Sequence, residues 1–240
     1  MELGVGLTYL DISNPTDSCS DDTFIGMLSV FGAELTHLNV SKHVLITDRF
    51  LSDGLAEYTR HLDSLLLSHL PELTDEGVAD LFNGWKDRPP LRHLELARNH
   101  ELGSAALEAI MKHSGKKLEE LNINGWKEVG EDALRAIGRR GGELRKIDVS
   151  WCREMDDFIM KAWFEGEDVR GVRKGGCMKV KEIKVWGCNK ITNRCQKKVR
   201  MSAFYRYSAL ISVAFCRVEL QSMVLNLMLF VRMLLRYTGG

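Results

Sequence analysis

The sequence has no paired cysteine motif, no leader-like start and no catalytic signature, and each absence removes a class of protein. Its six cysteines (Cys19, Cys152, Cys177, Cys188, Cys195 and Cys216) are irregularly spaced in a chain of 240 residues, and none forms a C-x-x-C pair. That argues against a zinc ribbon and against a disulfide scaffold. The N-terminal MELGVGLTYLDIS has no basic segment and no apolar run of signal-peptide length, which points to a cytosolic or nuclear protein with reduced thiols. There is no G-x-S-x-G, no glycine-rich loop followed by Lys-Ser/Thr and no H-E-x-x-H. Catalysis, a cofactor and a metal are therefore not expected. The composition, 45% hydrophobic and 28% charged, is that of an ordinary globular chain of one domain or two small ones.

The net charge of zero conceals a gradient. Residues 1–110 hold 7 Lys/Arg against 18 Asp/Glu, and residues 111–240 hold 26 against 15. Residues 170–200 alone carry eleven basic residues, opposed only by Glu182.

What is present is a repeat. LTYLDIS begins at Leu7, LTHLNVS at Leu35, LDSLLLS at Leu62, LRHLELA at Leu91, LEELNIN at Leu118, LRKIDVS at Leu144 and VKEIKVW at Val180, at intervals of 28, 27, 29, 27, 26 and 36 residues. Apolar residues at positions one, four and six of each unit alternate as a short strand does, and the remainder has helical spacing. In the third unit Thr74 or Asp75 can cap a helix whose inner face is Val78, Leu81 and Phe82; in the fifth, Leu134 and Ile137 repeat the pattern. One unit cannot bury both its strand face and its helix stripe, so neighbours must stack. The expected fold is an α/β leucine-rich-repeat horseshoe over residues 1–198, with a parallel sheet on the concave side and helices on the convex side. Glycine clusters at Gly138 (GRRGGE) and Arg173 (RKGGC) read as turns that need positive φ. Cys152 and Cys188, at position nine, read as buried structural thiols.

Such a sheet offers a surface, whose outward positions are the third, fifth and seventh of each unit. The partner-binding candidates there are Tyr9, Asp11, His37, Leu66, His93, Glu95, Glu120, Asn122, Asp148 and Trp186. Acidic residues outnumber basic ones five to two across these positions, which suits a basic or polar protein segment better than phosphate. Tyr9, Leu66 and Trp186 are the apolar anchor candidates. His37 and His93 lie two repeats apart and read as solvated histidines rather than as a metal pair. In the basic stretch, Arg173, Lys174, Lys179, Lys181, Lys197 and Lys198 form a candidate nucleic-acid or nuclear-import patch, though a single Trp is thin for base stacking.

Both ends depart from a complete solenoid. Met1 stands six residues before a repeat and leaves no room for a polar capping unit, so the start reads as a truncation. From about Val199 the pattern gives way to an apolar tail, 199–240, whose longest uncharged stretch (residues 220–231) is too short to span a bilayer. The tail reads as a helix covering the last repeat or, the favoured reading, as a segment foreign to the repeat protein, such as translated unspliced sequence.

The repeats with cysteine at position nine resemble those of F-box-type substrate receptors from Leu7 to about Lys198. The phrases ITDRFL at Ile46, PELTDEGVA at Pro71, ARNHEL at Ala97, LNINGWKEV at Leu121, DVSWCREMDDF at Asp148 and EIKVWGCNKIT at Glu182 resemble more closely the fungal leucine-rich-repeat proteins of global-genome nucleotide excision repair. That resemblance implies a nuclear, non-enzymatic recognition subunit with a Swi2/Snf2-type ATPase and cullin ligase components as partners, and damaged DNA reached through the complex. The family's longer N-terminal region and any F-box have no counterpart in these residues, and residues 164–178 form an unusual insertion. Two other functions remain open at this point: a substrate receptor of an SCF-like ligase unrelated to DNA, and a direct DNA-binding module acting through residues 170–200.

Overall fold

The computed structural model describes residues 6–169, 172–174, 176–192 and 212–214. Each unit opens with a three-residue strand at its third to fifth positions: β1 (Tyr9–Asp11), β2 (His37–Asn39), β3 (Ser64–Leu66), β4 (His93–Glu95), β5 (Glu120–Asn122), β6 (Lys146–Asp148) and β9 (Glu182–Lys184). These pair in parallel without slippage, so Leu10, Leu38, Leu65, Leu94, Leu121, Ile147 and Ile183 stand side by side in one row. The row points inward, and from Leu38 onward its members are buried. The convex side carries α1 (Asp21–Phe31), α3 (Asp75–Gly84), α4 (Ser104–His113), α5 (Glu131–Arg140) and α6 (Asp157–Glu165). The core between sheet and helices is continuous from Phe24 to Ile191.

The second unit departs from the expected helix. Residues Phe50–Leu55 form a π-helix, continued by the short α2 (Ala56–Tyr58). A Cβ on Gly54 would sit 3.2 Å from the Phe50 ring and 3.3 Å from Ile25, so the backbone packs tightly against α1 at this widened turn. The sixth unit absorbs its extra length in a hairpin, β7 (Glu167–Val169) and β8 (Val172–Lys174), inserted after α6 without disturbing the register of β6 with β9. Of the 199–240 tail, only Ser212–Ala214 is described, as a strand β10 parallel to β9; the rest of that tail lies outside the described residues.

Three hydrogen-bond ladders, two of them made by side chains, join one unit to the next. At position nine, His43, Asn99, Trp126, Cys152 and Cys188 turn inward. Their ring nitrogens, amide and thiols reach the position-six carbonyl of the unit behind: Ile12, Leu67, Leu96, Ile123 and Val149, at 2.7, 2.8, 2.8, 3.7 and 3.2 Å. On the convex side, an aspartate at the start of one helix binds the start of the next unit's helix segment. Asp21 accepts from the Thr47 amide and hydroxyl, Asp48 likewise from Thr74, and Asp157 from Thr192. Asp75 accepts from the amides of Gly103, Ala105 and Ala106 and so serves as the cap of α4. Thr74 caps α3 itself, accepting from the Gly77 amide.

The third ladder is backbone. The position-eight amide donates to the position-seven carbonyl of the next unit, from Lys42 to Ser68, His69 to Ala97, Arg98 to Asn124 and Trp151 to Trp186, at 2.6–2.9 Å. The residue is left-handed in all seven units, with φ from 58° at Asn14 to 89° at Gly125.

The glycine reading needs correction. Gly176 does adopt positive φ (110°), but Gly138 lies inside α5 and is not a turn. Its missing side chain makes room for Trp163, since a Cβ there would fall 2.8 Å from the indole. Trp163 is fully buried and donates to the Leu134 carbonyl at 2.8 Å.

Two predictions test this packing. Leu94→Ala and Leu121→Ala each lose about 2–5 kcal/mol as cavity mutations, measured by thermal or denaturant unfolding followed by circular dichroism. Gly138→Ala raises helix propensity yet destabilises by about 1–3 kcal/mol, because the added methyl meets Trp163; an unchanged or higher melting temperature would show that α5 and α6 are not this close.

Candidate functional site

Parallel strands of three residues, in register, set the third- and fifth-position side chains in rows on the concave face. At the first-unit end, Tyr9 is 61% exposed and its ring stacks on His37 at 5.8 Å between centroids. The His37 Nδ1 is 2.8 Å from the Thr36 hydroxyl. In the centre, Leu66, His93, Glu95, Glu120, Asn122 and Asp148 line one shallow groove, joined by Lys146 and Lys184. Trp186 lies half-buried at the last-unit end. The sheet therefore brings six of the ten concave candidates into one groove and places Tyr9, Asp11 and His37 at its first-unit end.

Several of these residues have structural duties that their position in the repeat did not reveal. Asp11, Asn122 and Asp148, like Asn39, each use a side-chain oxygen to accept the backbone amide two residues on, at 2.9–3.1 Å. The Ser13 amide holds the Asp11 carboxyl below its ordinary range. At position seven three serines face the next unit rather than solvent: Ser41 accepts from the Ser68 amide, Ser68 from Ala97 and Ser150 from Trp186. Ser68 also donates to Glu95 at 2.8 Å. Asn39 also donates to the second oxygen of Asp11 at 3.1 Å, so these ties fix the groove's walls and leave Tyr9, His93 and the second oxygen of Glu95 to meet a ligand.

The charge of the groove is graded. Towards the last units the acids are answered: Lys146 lies 2.7 Å from Glu120, which raises the lysine pKa, and Lys184 lies 3.5 Å from Glu182 and 4.0 Å from Asp148. Towards the first units, among the described residues, neither Asp11 nor Glu95 is in an ion pair with a lysine or arginine. A basic or polar extended segment fits that end best.

Of the basic patch, Lys179 is bonded to Glu143 (Nζ to Oε1 at 2.7 Å) and Lys181 is exposed. Arg173 and Lys174 belong to β8, whose side chains lie outside the described residues, as do Lys197 and Lys198. Lys190, in the same stretch, pairs with Glu154. The basic end repeat thus meets the carboxylates of the unit before it.

Burial, above all else, keeps the thiols protonated. It pushes Cys188 up to about 11, Cys177 up to about 12 and Cys152 higher still, where the neighbouring Cys188 and Asp148 add to the effect. Cys177, in the insertion, donates to the Ile137 carbonyl at 3.5 Å, a role its irregular spacing concealed. A nucleophilic thiol needs the opposite environment.

These features define a leucine-rich-repeat solenoid with a polar, partly acidic concave groove. A leucine-rich-repeat family model matches residues 89–111. The chain is similar to the DNA repair protein rhp7 of Schizosaccharomyces pombe, with 32% identity over 155 residues, which is 64% of this chain and 28% of that protein. Its fold is also that of Rad7 in the crystal structure of the yeast Rad7 and Elc1 complex, with a TM-score of 0.65 and 19% identity over 86% of this chain and 46% of that one. The chain spans less than half the length of either relative.

The thiol environment predicts that iodoacetamide at about pH 8 leaves Cys152, Cys177 and Cys188 unmodified in the folded protein and labels them after denaturation, read by peptide mass spectrometry. Unfolded thiols ionise near their ordinary value of 9.0 whereas the folded ones hold their protons, so their contribution to stability is intact below that pH and falls as the pH rises through 11. Labelling of Cys188 in the native state would contradict this.

Proposed function

We propose that the chain is the repeat-bearing, non-enzymatic recognition part of a nuclear nucleotide excision repair factor that works with a cullin-type ubiquitin ligase. The observation that carries this reading is the 32% identity to a DNA repair protein along 155 residues, which exceeds what shared repeat architecture alone requires. The likeness to Rad7, solved together with Elc1, supports a protein-assembly role for the same solenoid. The concave groove supports protein recognition in particular: it offers exposed Tyr9, half-buried Leu66 and Trp186 as anchors, with the carboxylates of Asp11 and Glu95 between them. No helix among the described residues is long and apolar enough to cross a membrane.

In this reading the partners are a Swi2/Snf2-type ATPase and cullin ligase components, and damaged DNA is reached through the complex. Ion pairing of Lys179 and Lys190 with the preceding unit weighs against direct DNA binding by the end repeat.

A tagged full chain, captured from nuclear extract with nuclease treatment and a high-salt wash, recovers the ATPase together with cullin components. Recovery of cullin components without the ATPase would transfer the chain to a ligase unrelated to repair. Recovery of neither, from a chain shown to be folded by circular dichroism, would sink the reading.

A further inference from the structure

The left-handed turn at position eight is occupied by unsuitable residues. A residue with a Cβ is disfavoured there by about 1–2 kcal/mol, and glycine or asparagine is the ordinary occupant. Three units use these, at Asn14, Gly125 and Gly187, while Lys42, His69, Arg98 and Trp151 stand in the other four with φ of 74°, 59°, 60° and 66°. The turn itself asks only for a backbone amide, which any residue but proline supplies. What these four contribute is the side chain they present along the rim above the concave face.

Lys42, His69 and Arg98 belong to consecutive units and are all exposed. Parallel strands lie roughly 4.8 Å apart, so the three form a close row in the acidic half of the chain, with fixed cations at Lys42, which also bonds the Asn14 side chain, and at Arg98. Burial first, and then the charges of Arg98 and Lys42, disfavour the charged form of His69, which stands between the two cations as an imidazole. Beyond Arg98 the row is interrupted by the buried Gly125 and resumes at Trp151, 56% exposed. A Cβ on Gly187 would fall 2.4 Å from the indole, so Trp151 lies over bare backbone on that side.

We propose that this rim is a second recognition surface, taking an extended acidic polypeptide segment that carries one large apolar residue. Its carboxylates lie at Lys42 and Arg98, on either side of the His69 ring, and its apolar side chain packs against the exposed indole of Trp151. A polypeptide fits better than a nucleic-acid strand. A continuous phosphate chain would run beside the Glu95 carboxylate, which faces His69, and one aromatic ring supports little base stacking. A peptide places charge only where a cation answers it. The inference rests on the reading of the chain as a protein-recognition module and adds a surface whose charge preference is opposite to that of the concave groove.

The test is fluorescence anisotropy on the full chain. The probe is a short fluorescein-labelled peptide of Asp and Glu around a central leucine, with its Asn/Gln counterpart and an oligo(dT) strand as comparators. The acidic peptide binds at least about tenfold tighter than its amide counterpart. Arg98→Gly and Trp151→Gly each weaken it about fivefold or more. Both variants keep or raise the melting temperature, because glycine suits the left-handed turn. Tyr9→Ala, on the concave face, leaves peptide binding unchanged. Equal binding of the two peptides, glycine variants that bind like the parent, or an oligo(dT) strand that displaces the peptide would each overturn the proposal. Peptide binding that survives alongside failure to recover the ATPase and cullin components would support the rim and count against the repair reading alone.

Discussion

Everything in this solenoid depends on how the backbone is closed where each strand ends. The strand spends its hydrogen bonds on its neighbours, then turns sharply towards the convex side, and the position-six carbonyl is left buried behind the turn. A buried carbonyl without a donor is costly, so five of the units send a donor back from their ninth position, the third unit having Leu70 there instead. Asn99 shows the arrangement most fully. It is completely buried, donates to the Leu67 carbonyl at 2.8 Å and accepts from the Leu70 amide at 2.7 Å, closing the turn of the third unit from the fourth. His43, Trp126, Cys152 and Cys188 meet the same need with an imidazole, an indole and two thiols. Side chains so different in volume serve at one position because only the donor is fixed; the surrounding leucines adjust to the rest. The stacking order is thereby directional, since these turns are completed by the unit that follows.

Electrostatics runs along the same axis. The acidic first half and basic second half do not produce two separate fields, because repeats place an acid of one unit beside a base of the next. Glu119 lies between Arg92 and Arg145, Glu120 meets Lys146, Glu128 meets Arg153, Glu143 meets Lys179 and Glu154 meets Lys190. Such pairs are largely exposed and individually weak. Their consequence is local: the basic end presents less free positive charge than its composition suggests, whereas the first-unit end of the concave groove keeps its unanswered carboxylates. Net charge per segment is therefore a poor guide to where an anionic partner would bind on a repeat protein.

The architecture was legible in the sequence because the repeat states it seven times. The strand positions, the inward row from Leu10 to Ile183, the cap at Thr74 and the burial of Cys152 and Cys188 follow from spacing alone. What spacing could not show is how a polar residue is used. Asp11, Asn122 and Asp148 occupy outward positions, but one oxygen of each is committed to its own turn, and Ser41, Ser68 and Ser150 at position seven are buried between units. Short polar side chains can bond the backbone locally or face solvent, and the choice is made by geometry. Gly138 misled for a related reason: glycine marks either a turn or a close approach, and here Trp163, in the next unit's helix, decides between them. The π-turn at Phe50–Leu55 has no counterpart in the hydrophobic pattern, since one extra residue per turn leaves the apolar face nearly unchanged.

The insertion after α6 shows which contacts the repeat cannot give up. The sixth interval is 36 residues instead of 26 to 29, yet Lys146 still stands opposite Glu182, Asp157 still receives both donors of Thr192, and Cys188 still reaches the Val149 carbonyl. The extra chain leaves through the hairpin β7–β8 and returns at Cys177, whose amide bonds the Trp163 carbonyl and whose thiol bonds that of Ile137. Length is thus added between the helix and the next strand, where no ladder runs. The strand, the turn at positions six to nine and the helix start each carry a rung to the neighbouring unit, and an insertion at any of them would break two repeats at once. The surfaces built on those three segments, the concave groove and its rim, therefore keep their geometry while the helix-to-strand connections vary.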